Sequence, residues 1–457
     1  MATARRDGGA STAEPELARA IRLPHATALV VGIIIGSAIF RQPSEVTGRV
    51  PTVSGVFLVW LVSGMLTLFG ALVCAELASL FPQSGGVYVF LRESFGRPLG
   101  FLWGWAMFWT MHSGIIAAIA MVFARFVAYF APLGGGGGAG GDGGIRAVAI
   151  TAVFALSAVN YYGVALGSGL QAALTIGKVL AIVAIIVVGF WLGAGLPAHF
   201  VAASGGRVSP GGVAAAVSAG LFAFGGWHMV TYTAEETKDP QRTIPRALIV
   251  GTLIVTAIYV ALNTVYLYVL PLDRVVASSR IAADAADAVL GRGGGTVMSA
   301  LVACSAFGAL AGIVLTGPRV YFSMARDGLL FRWVGAIHPR FGTPHRAIVL
   351  QAVWSAVLVA TGTYRALFTR VVFTEWIFFA VMAIGLVLLR SRPGYTPAYR
   401  ARGFPAVPLV FAAAAAVVAV SQIVAQPRDS AMGLLLVLAG LPVYVLWAVL
   451  TSSESEP

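Results

Sequence analysis

Twelve times along its 457 residues the chain runs for about 20 residues with almost nothing but apolar side chains. A helix of that length reaches across a hydrocarbon core of about 30 Å while satisfying its backbone N–H and C=O groups within the segment. The runs begin near Ala26, Ser54, Leu99, Ile145, Leu170, Gly211, Ala247, Thr296, Ala347, Val371, Pro405 and Ala431. Only 11% of the residues are charged and the mean hydropathy is +0.87, whereas a water-facing surface needs roughly twice that charge. The pattern predicts an all-α polytopic membrane protein with about 12 transmembrane helices and excludes a soluble globular fold. Connections are at most about 25 residues, well short of the roughly 50 of a small domain. Residues 26–451 therefore read as a single transmembrane domain between tails at 1–25 and 452–457.

The first 25 residues carry Arg5, Arg6, Arg19 and Arg22 without the apolar centre of a signal peptide, so the first run is expected to stay in the membrane. With the amino terminus inside, roughly 18 Lys and Arg fall on the inner side and roughly 10 on the outer, which predicts that both termini are cytoplasmic. The net charge of +12 is then a topological signal, and a nucleic-acid role is not expected. Both cysteines, Cys74 and Cys304, fall inside apolar runs, so a disulfide framework is excluded. The glycine-rich stretch Gly134 to Gly144 reads as a flexible tether.

Two runs carry weak points. "GIIIGSAIF", from Gly32 to Phe40, places two glycines and a serine inside the first, and "LFAFGGWHMVTYTAEE", from Leu221 to Glu236, places Gly225 and Gly226 inside the sixth. Glycine has no Cβ and low helix preference, so Gly32, Gly36, Gly225 and Gly226 make unwinding cheap. Interruptions at matching positions of two halves point to an inverted-repeat transporter with its ligand at the midplane. Free N–H groups opening a half-helix suit a carboxylate, and carbonyls ending one suit an ammonium, so a zwitterionic amino acid fits both. Gly32 and Gly36, taken alone, also form the small-residue pattern of close helix packing.

These two segments, together with "GALVCAELASLFPQSGGVYVFL" in the second run, resemble the amino acid–polyamine–organocation superfamily, and most of all the L-type amino acid transporters and their bacterial relatives. The resemblance runs from about Leu23 to the last span. It implies a five-plus-five inverted repeat of the LeuT-like kind, over about 26–195 and 210–390, with helices 1 and 6 unwound and two extra helices at about 405–451. It further implies that Gly36, Ser37 and Ala38 offer N–H groups to the substrate carboxylate. Ile34, Phe222 and Gly225 would offer carbonyls to its amine, with Phe222 as an aromatic gate. Two positions depart from the family's pattern. Ala38 stands where glycine is frequent, putting a methyl at the pocket, and His228 stands where asparagine is frequent.

Lys178, in "LTIGKVLAIVAIIVVGF", lies eight residues after Leu170 and hence roughly 12 Å into the fifth run, where a charge is a functional candidate. The resemblance implies that a lysine here replaces the sodium ion of coupled relatives, tying the fifth span to the first and eighth. Thr316 and Ser305 are nearby hydroxyls, and neither is singled out as its partner. The bland alternative is a lysine reaching a wet cavity. His228 could titrate near neutral pH or simply form a hydrogen-bonded pocket wall. Trp227 reads as packing that shapes the break. Glu76 is expected to orient helices, Glu235 and Glu236 to form an ion-pair cluster or gate beside Lys238 and Arg242, and Arg125 and Glu375 to snorkel near outer ends.

The six histidines are scattered with no acid–histidine cluster, which disfavours an enzyme and predicts no metal or cofactor. A channel filter built from several chains is likewise unsupported. The expectation is a sodium-independent secondary transporter of neutral L-amino acids, small ones being slightly preferred, working as exchanger, facilitator or proton symporter. A cationic amino acid or polyamine permease of the same fold is the runner-up. Animal L-type relatives pair with a glycoprotein through a loop cysteine that this chain lacks, so no disulfide-linked heavy subunit is expected. The scarcity of lysine beside abundant Arg, Gly and Ala suits a bacterial inner membrane.

Overall fold

The computed structural model describes residues 16–131, 143–191, 197–200, 208–291 and 293–453. The expected tether falls almost wholly outside these residues, as do most of the amino-terminal tail and 454–457. The chain is an integral membrane protein, and its described residues form ten helices long and apolar enough to cross a bilayer plus two shorter apolar ones. In order, the first span is Leu23–Ile34 continued after a break by Gln42–Arg49, the second is Val53–Leu80, and the third is Arg97–Phe130. The fourth and fifth are Gly143–Tyr161 and Val164–Trp191, and the sixth is Pro210–Glu236, broken in the middle. The seventh to ninth are Pro240–Val269, Gly294–Arg326 and His345–Thr361. Tyr364–Arg390, Ala406–Ala425 and Pro427–Leu450 complete the set.

Local sequence sets several ends. Thr52 accepts from the Gly55 N–H, and Ser209 accepts from the Gly212 N–H with Pro210 at the first helical position, so these helices start on capped donors. Packing follows the repeat. The second span lies along the seventh, the third along the eighth and the fourth along the ninth, so each of these three helices pairs with the one five further on. That is the pattern a pseudo-two-fold axis between two five-helix halves produces. The first and sixth spans sit inside this frame, and the eleventh packs outside it against the tenth and second.

The tenth helix starts earlier than its apolar run. It begins at Tyr364, ahead of the expected start near Val371, because helix geometry continues through a polar turn that hydropathy cannot see. Glu375 is thus eleven residues into the helix, roughly 16 Å at 1.5 Å per residue, and the outer-end snorkelling position expected for it is corrected.

On the side of the amino-terminal segment the spans are tied together by polar contacts. Ile21 pairs with the end of the sixth span, its N–H donating to Glu236 O at 3.0 Å and its C=O accepting from Lys238 N–H at 2.8 Å. Glu236 is fully buried in a two-point pair with Arg319 of the eighth span, at 2.7 Å for both contacts. Arg326 reaches Glu235 at 3.1 Å. The partners of the two glutamates are therefore these eighth-span arginines, in place of the Lys238 and Arg242 expected from proximity in sequence. Glu76, also buried, accepts from Arg390, from the Tyr395 hydroxyl and from the Ala401 N–H, fastening the second span to the tenth and to the connection beyond it.

Candidate functional site

The break in the first span is built by a three-residue turn. The helix ends at Ile34, and the Gly36 N–H, which would have continued it by donating to Gly32, instead turns onto Ile34 O at 2.8 Å. The chain resumes as a short 3-10 turn at Ala38–Phe40. The N–H groups of Ser37 and Ala38 open this second half with no acceptor among the described residues. In the sixth span the helix ends at Ala223, and Gly226 takes φ of +91°, a left-handed conformation that a residue with a Cβ adopts only under strain. The segment Trp227–Glu236 then proceeds as a 3-10 helix.

A cavity of about 230 Å³ lies between the two breaks. Its wall includes Ile34, Gly36, Ser37 and Ala38 from one break and Phe222, Gly225, Gly226 and Trp227 from the other. Ile115, Ile119 and Val122 of the third span and Val372, Trp376 and Phe379 of the tenth complete an apolar enclosure. Phe222 is 46% exposed where it borders this space. The Gly225 carbonyl accepts no hydrogen bond among the described residues.

Three expectations from sequence change here. The Ile34 carbonyl and the Gly36 N–H are paired with each other, because the break closes as a turn instead of leaving both groups open. The Phe222 carbonyl accepts from the Gly225 N–H at 3.2 Å. His228 does not line the cavity. One residue along a 3-10 helix is a rotation of about 120°, so with Trp227 on the wall His228 points behind it, fully buried among Trp103, Trp227, Tyr232 and Phe379. Neither ring nitrogen makes a hydrogen bond, so the hydrogen-bonded wall histidine is not what is found.

Glycines in the breaks divide by task. Gly32 remains helical, and a Cβ there would collide with Thr175 and Gln171, both of which donate to the Ala28 carbonyl. It is a packing glycine between the first and fifth spans. Gly36 instead borders open space, with only Ala309 Cβ at 3.8 Å from where its own Cβ would stand.

Lys178 is 2% exposed, and its ammonium has three acceptors: Gly32 O at 2.9 Å, Ile35 O at 2.9 Å and Ser305 O at 3.0 Å. The fifth span is thereby pinned to the first at its break and to the eighth. Ser305 contributes twice, since its hydroxyl also donates to Ile35 O at 3.1 Å. Thr316 takes no part and donates within its own helix to Ile313 O. The reading of a lysine reaching a wet cavity is set aside by these contacts. Gly308 leaves the space for the side chain, for a Cβ there would stand 2.9 Å from Lys178 Cε.

Two residues to which sequence reasoning gave no part in the site belong to this region. The Tyr259 hydroxyl, on the seventh span, lies 3.0 Å from Ile34 O and 2.9 Å from Ala223 O, so one side chain bridges the carbonyls that end both half-helices. Glu375 is on the cavity wall, with Oε1 3.5 Å from His228 Nε2. Among the described residues there is no cluster of His, Cys, Asp and Glu able to hold a metal ion.

The amino acid permease family matches residues 21–449 of the chain. The serine/threonine exchanger SteT of Bacillus subtilis (strain 168) is 34% identical over 437 residues, covering 95% of this chain and 98% of that one. The human large neutral amino acids transporter small subunit 2 is 30% identical over 457 residues, covering 96% and 84%. The mouse Asc-type amino acid transporter 1 is 30% identical over 438 residues, covering 94% and 81%.

Proposed function

Since the chain belongs to the amino acid permease family, whose members are transporters and not enzymes, we propose that it carries neutral L-amino acids across the membrane by alternating access, without sodium, at the cavity between the two breaks. The observation that carries this reading is the juxtaposition of unpaired backbone groups from both broken helices on one small cavity. A substrate carboxylate fits the Ser37 and Ala38 N–H groups at the opening of a half-helix, where the partial positive charge of the peptide dipoles favours an anion. The amine fits the Gly225 carbonyl. Gly36 and the Ile34 and Phe222 carbonyls join the site once a substrate competes for them. Phe222 closes over the bound molecule, Trp227 and Gly226 shape the wall, and the Ala38 methyl narrows the space toward small side chains.

Lys178 takes the place of a coupling ion in this reading. A fixed cation holding carbonyls of the first and eighth spans does what a bound sodium would do there, so no ion has to bind before the substrate. The relative named as an exchanger favours exchange over net uptake for this chain. Positive residues on the side of the amino-terminal segment favour cytoplasmic termini, and arginine-rich, lysine-poor composition favours a bacterial inner membrane. With both cysteines in spans, a disulfide-linked partner is not part of the proposal.

The test is uptake of labelled neutral and basic amino acids into liposomes holding the purified protein, with and without sodium, a pH gradient and internal substrate. Sodium-indifferent uptake of neutral amino acids that requires internal substrate is the expected result. Strict sodium dependence overturns the role of Lys178, and uptake of only basic amino acids overturns the substrate class.

A further inference from the structure

Among the residues on the cavity wall, side chains with oxygen are rare: Ser37 beside the break, and Glu375 on the tenth span. Glu375 is the only ionisable side chain in that wall. Its carboxyl has no lysine or arginine partner among the described residues, and its Oε1 lies 3.5 Å from Nε2 of His228, behind the wall. The carboxyl is about four-fifths removed from solvent, at 20% side-chain exposure. An acceptor placed this way in an apolar enclosure lacks a donor until something in the cavity supplies one.

The backbone groups of the breaks are suited to the carboxylate and amine that all amino acids share. With those groups taken up by the substrate's own charged ends, Glu375 is the ionisable side chain of the wall left to meet whatever side chain the substrate carries. We propose that Glu375 reads the substrate's side chain, accepting a hydrogen bond from a donor it carries, a hydroxyl or an ammonium. The inference rests on the substrate site proposed above and adds what that site selects. A site holding an acceptor for a substrate group rejects the analogue without that group, because the acceptor is then left buried and unpaired. The remaining solvent exposure moderates the penalty, so the discrimination expected is about tenfold, well below the 10⁴ of a sealed site. His228 has both nitrogens unbonded and makes no hydrogen bond to Oε1 at that distance, so the acceptor is left to the cavity.

The experiment measures competition against a common labelled substrate in proteoliposomes, using pairs of equal shape with and without a donor: threonine against valine, serine against 2-aminobutyrate, lysine against 2-aminoheptanoate. The proteins are wild type, Glu375→Gln and Glu375→Leu. In the wild type threonine competes about tenfold better than valine, and in Glu375→Leu the two fall within twofold as valine gains. Glu375→Gln keeps part of the threonine preference, since an amide oxygen still accepts. Lysine competing in the wild type and failing in Glu375→Gln assigns the donor as an ammonium as well as a hydroxyl. Lysine failing in both confines it to the hydroxyl. Equal competition by threonine and valine in the wild type overturns the inference while leaving the break site standing, and a wild type that moves neither overturns both. A preference that survives in Glu375→Leu, or a Glu375→Gln variant altered only in its pH dependence, makes the carboxyl a bystander or a proton carrier and equally overturns it.

Discussion

Replacing Lys178 with methionine keeps most of the length of the side chain and removes its donors, and the structure identifies which acceptors are left bare. Ile35 O retains the Ser305 hydroxyl at 3.1 Å. Ser305 O belongs to the uninterrupted helix Gly294–Thr316 and retains its place in that ladder. Gly32 O has no such reserve, because its helical partner, the Gly36 N–H, is turned onto Ile34 O. One buried carbonyl is therefore orphaned, at about 1–3 kcal/mol. With about 1.4 kcal/mol per factor of ten, the assembled break loses roughly 5- to 150-fold against relaxed arrangements of the same segment. The whole protein keeps its fold, since the loss is confined to one turn. Sodium-free uptake per inserted protein should fall by at least about tenfold in Lys178→Met, while size-exclusion behaviour and melting remain close to wild type. A Lys178→Met protein that transports at the wild-type rate refutes the claim that this ammonium holds the break.

Other contacts give further expectations. Gly226→Ala forces a methyl into the left-handed region and against Ile33, and should lower the melting midpoint by the equivalent of at least about 1–2 kcal/mol with loss of uptake. Tyr259→Phe removes the donor shared by Ile34 O and Ala223 O and should reduce the uptake rate several-fold with little change in melting, measured in the same liposomes. Arg319→Met strands a fully buried Glu236, a loss of about 3–5 kcal/mol that thermal melting should register. Adding Glu236→Gln to it should recover much of that loss, because it removes the unpaired charge.

The membrane fold was legible because an apolar run of bilayer-spanning length, repeated down a chain with so little charge, has nowhere but the membrane to go. The breaks were legible because Gly36, Gly225 and Gly226 interrupt such runs at matching places. Lys178 stood out as a lone charge, but its eighth-span partner did not, since the acceptor is the backbone carbonyl of Ser305 and no side chain announces a carbonyl. Tyr259 was missed because one tyrosine in an apolar helix has no sequence mark distinguishing a hydroxyl aimed at two helix ends from one at an interface. Glu375 was assigned to an outer end because hydropathy began the tenth span seven residues late. His228 was expected on the wall because sequence does not reveal that the chain leaves the second break as a 3-10 helix, which turns that side chain away from the cavity.

The central claim is that an amino acid sits between the two broken helices, held by their backbone groups, with Lys178 in place of an ion. A density map of the protein in lipid nanodiscs, with threonine bound in sodium-free buffer, tests it most directly. The account predicts threonine density in the cavity between Ser37 and Gly225, its carboxylate within hydrogen-bond distance of the Ser37 and Ala38 N–H groups, and Lys178 Nζ still on the Gly32 and Ile35 carbonyls. Threonine bound elsewhere, or Lys178 swung away from those carbonyls in the bound state, would contradict it.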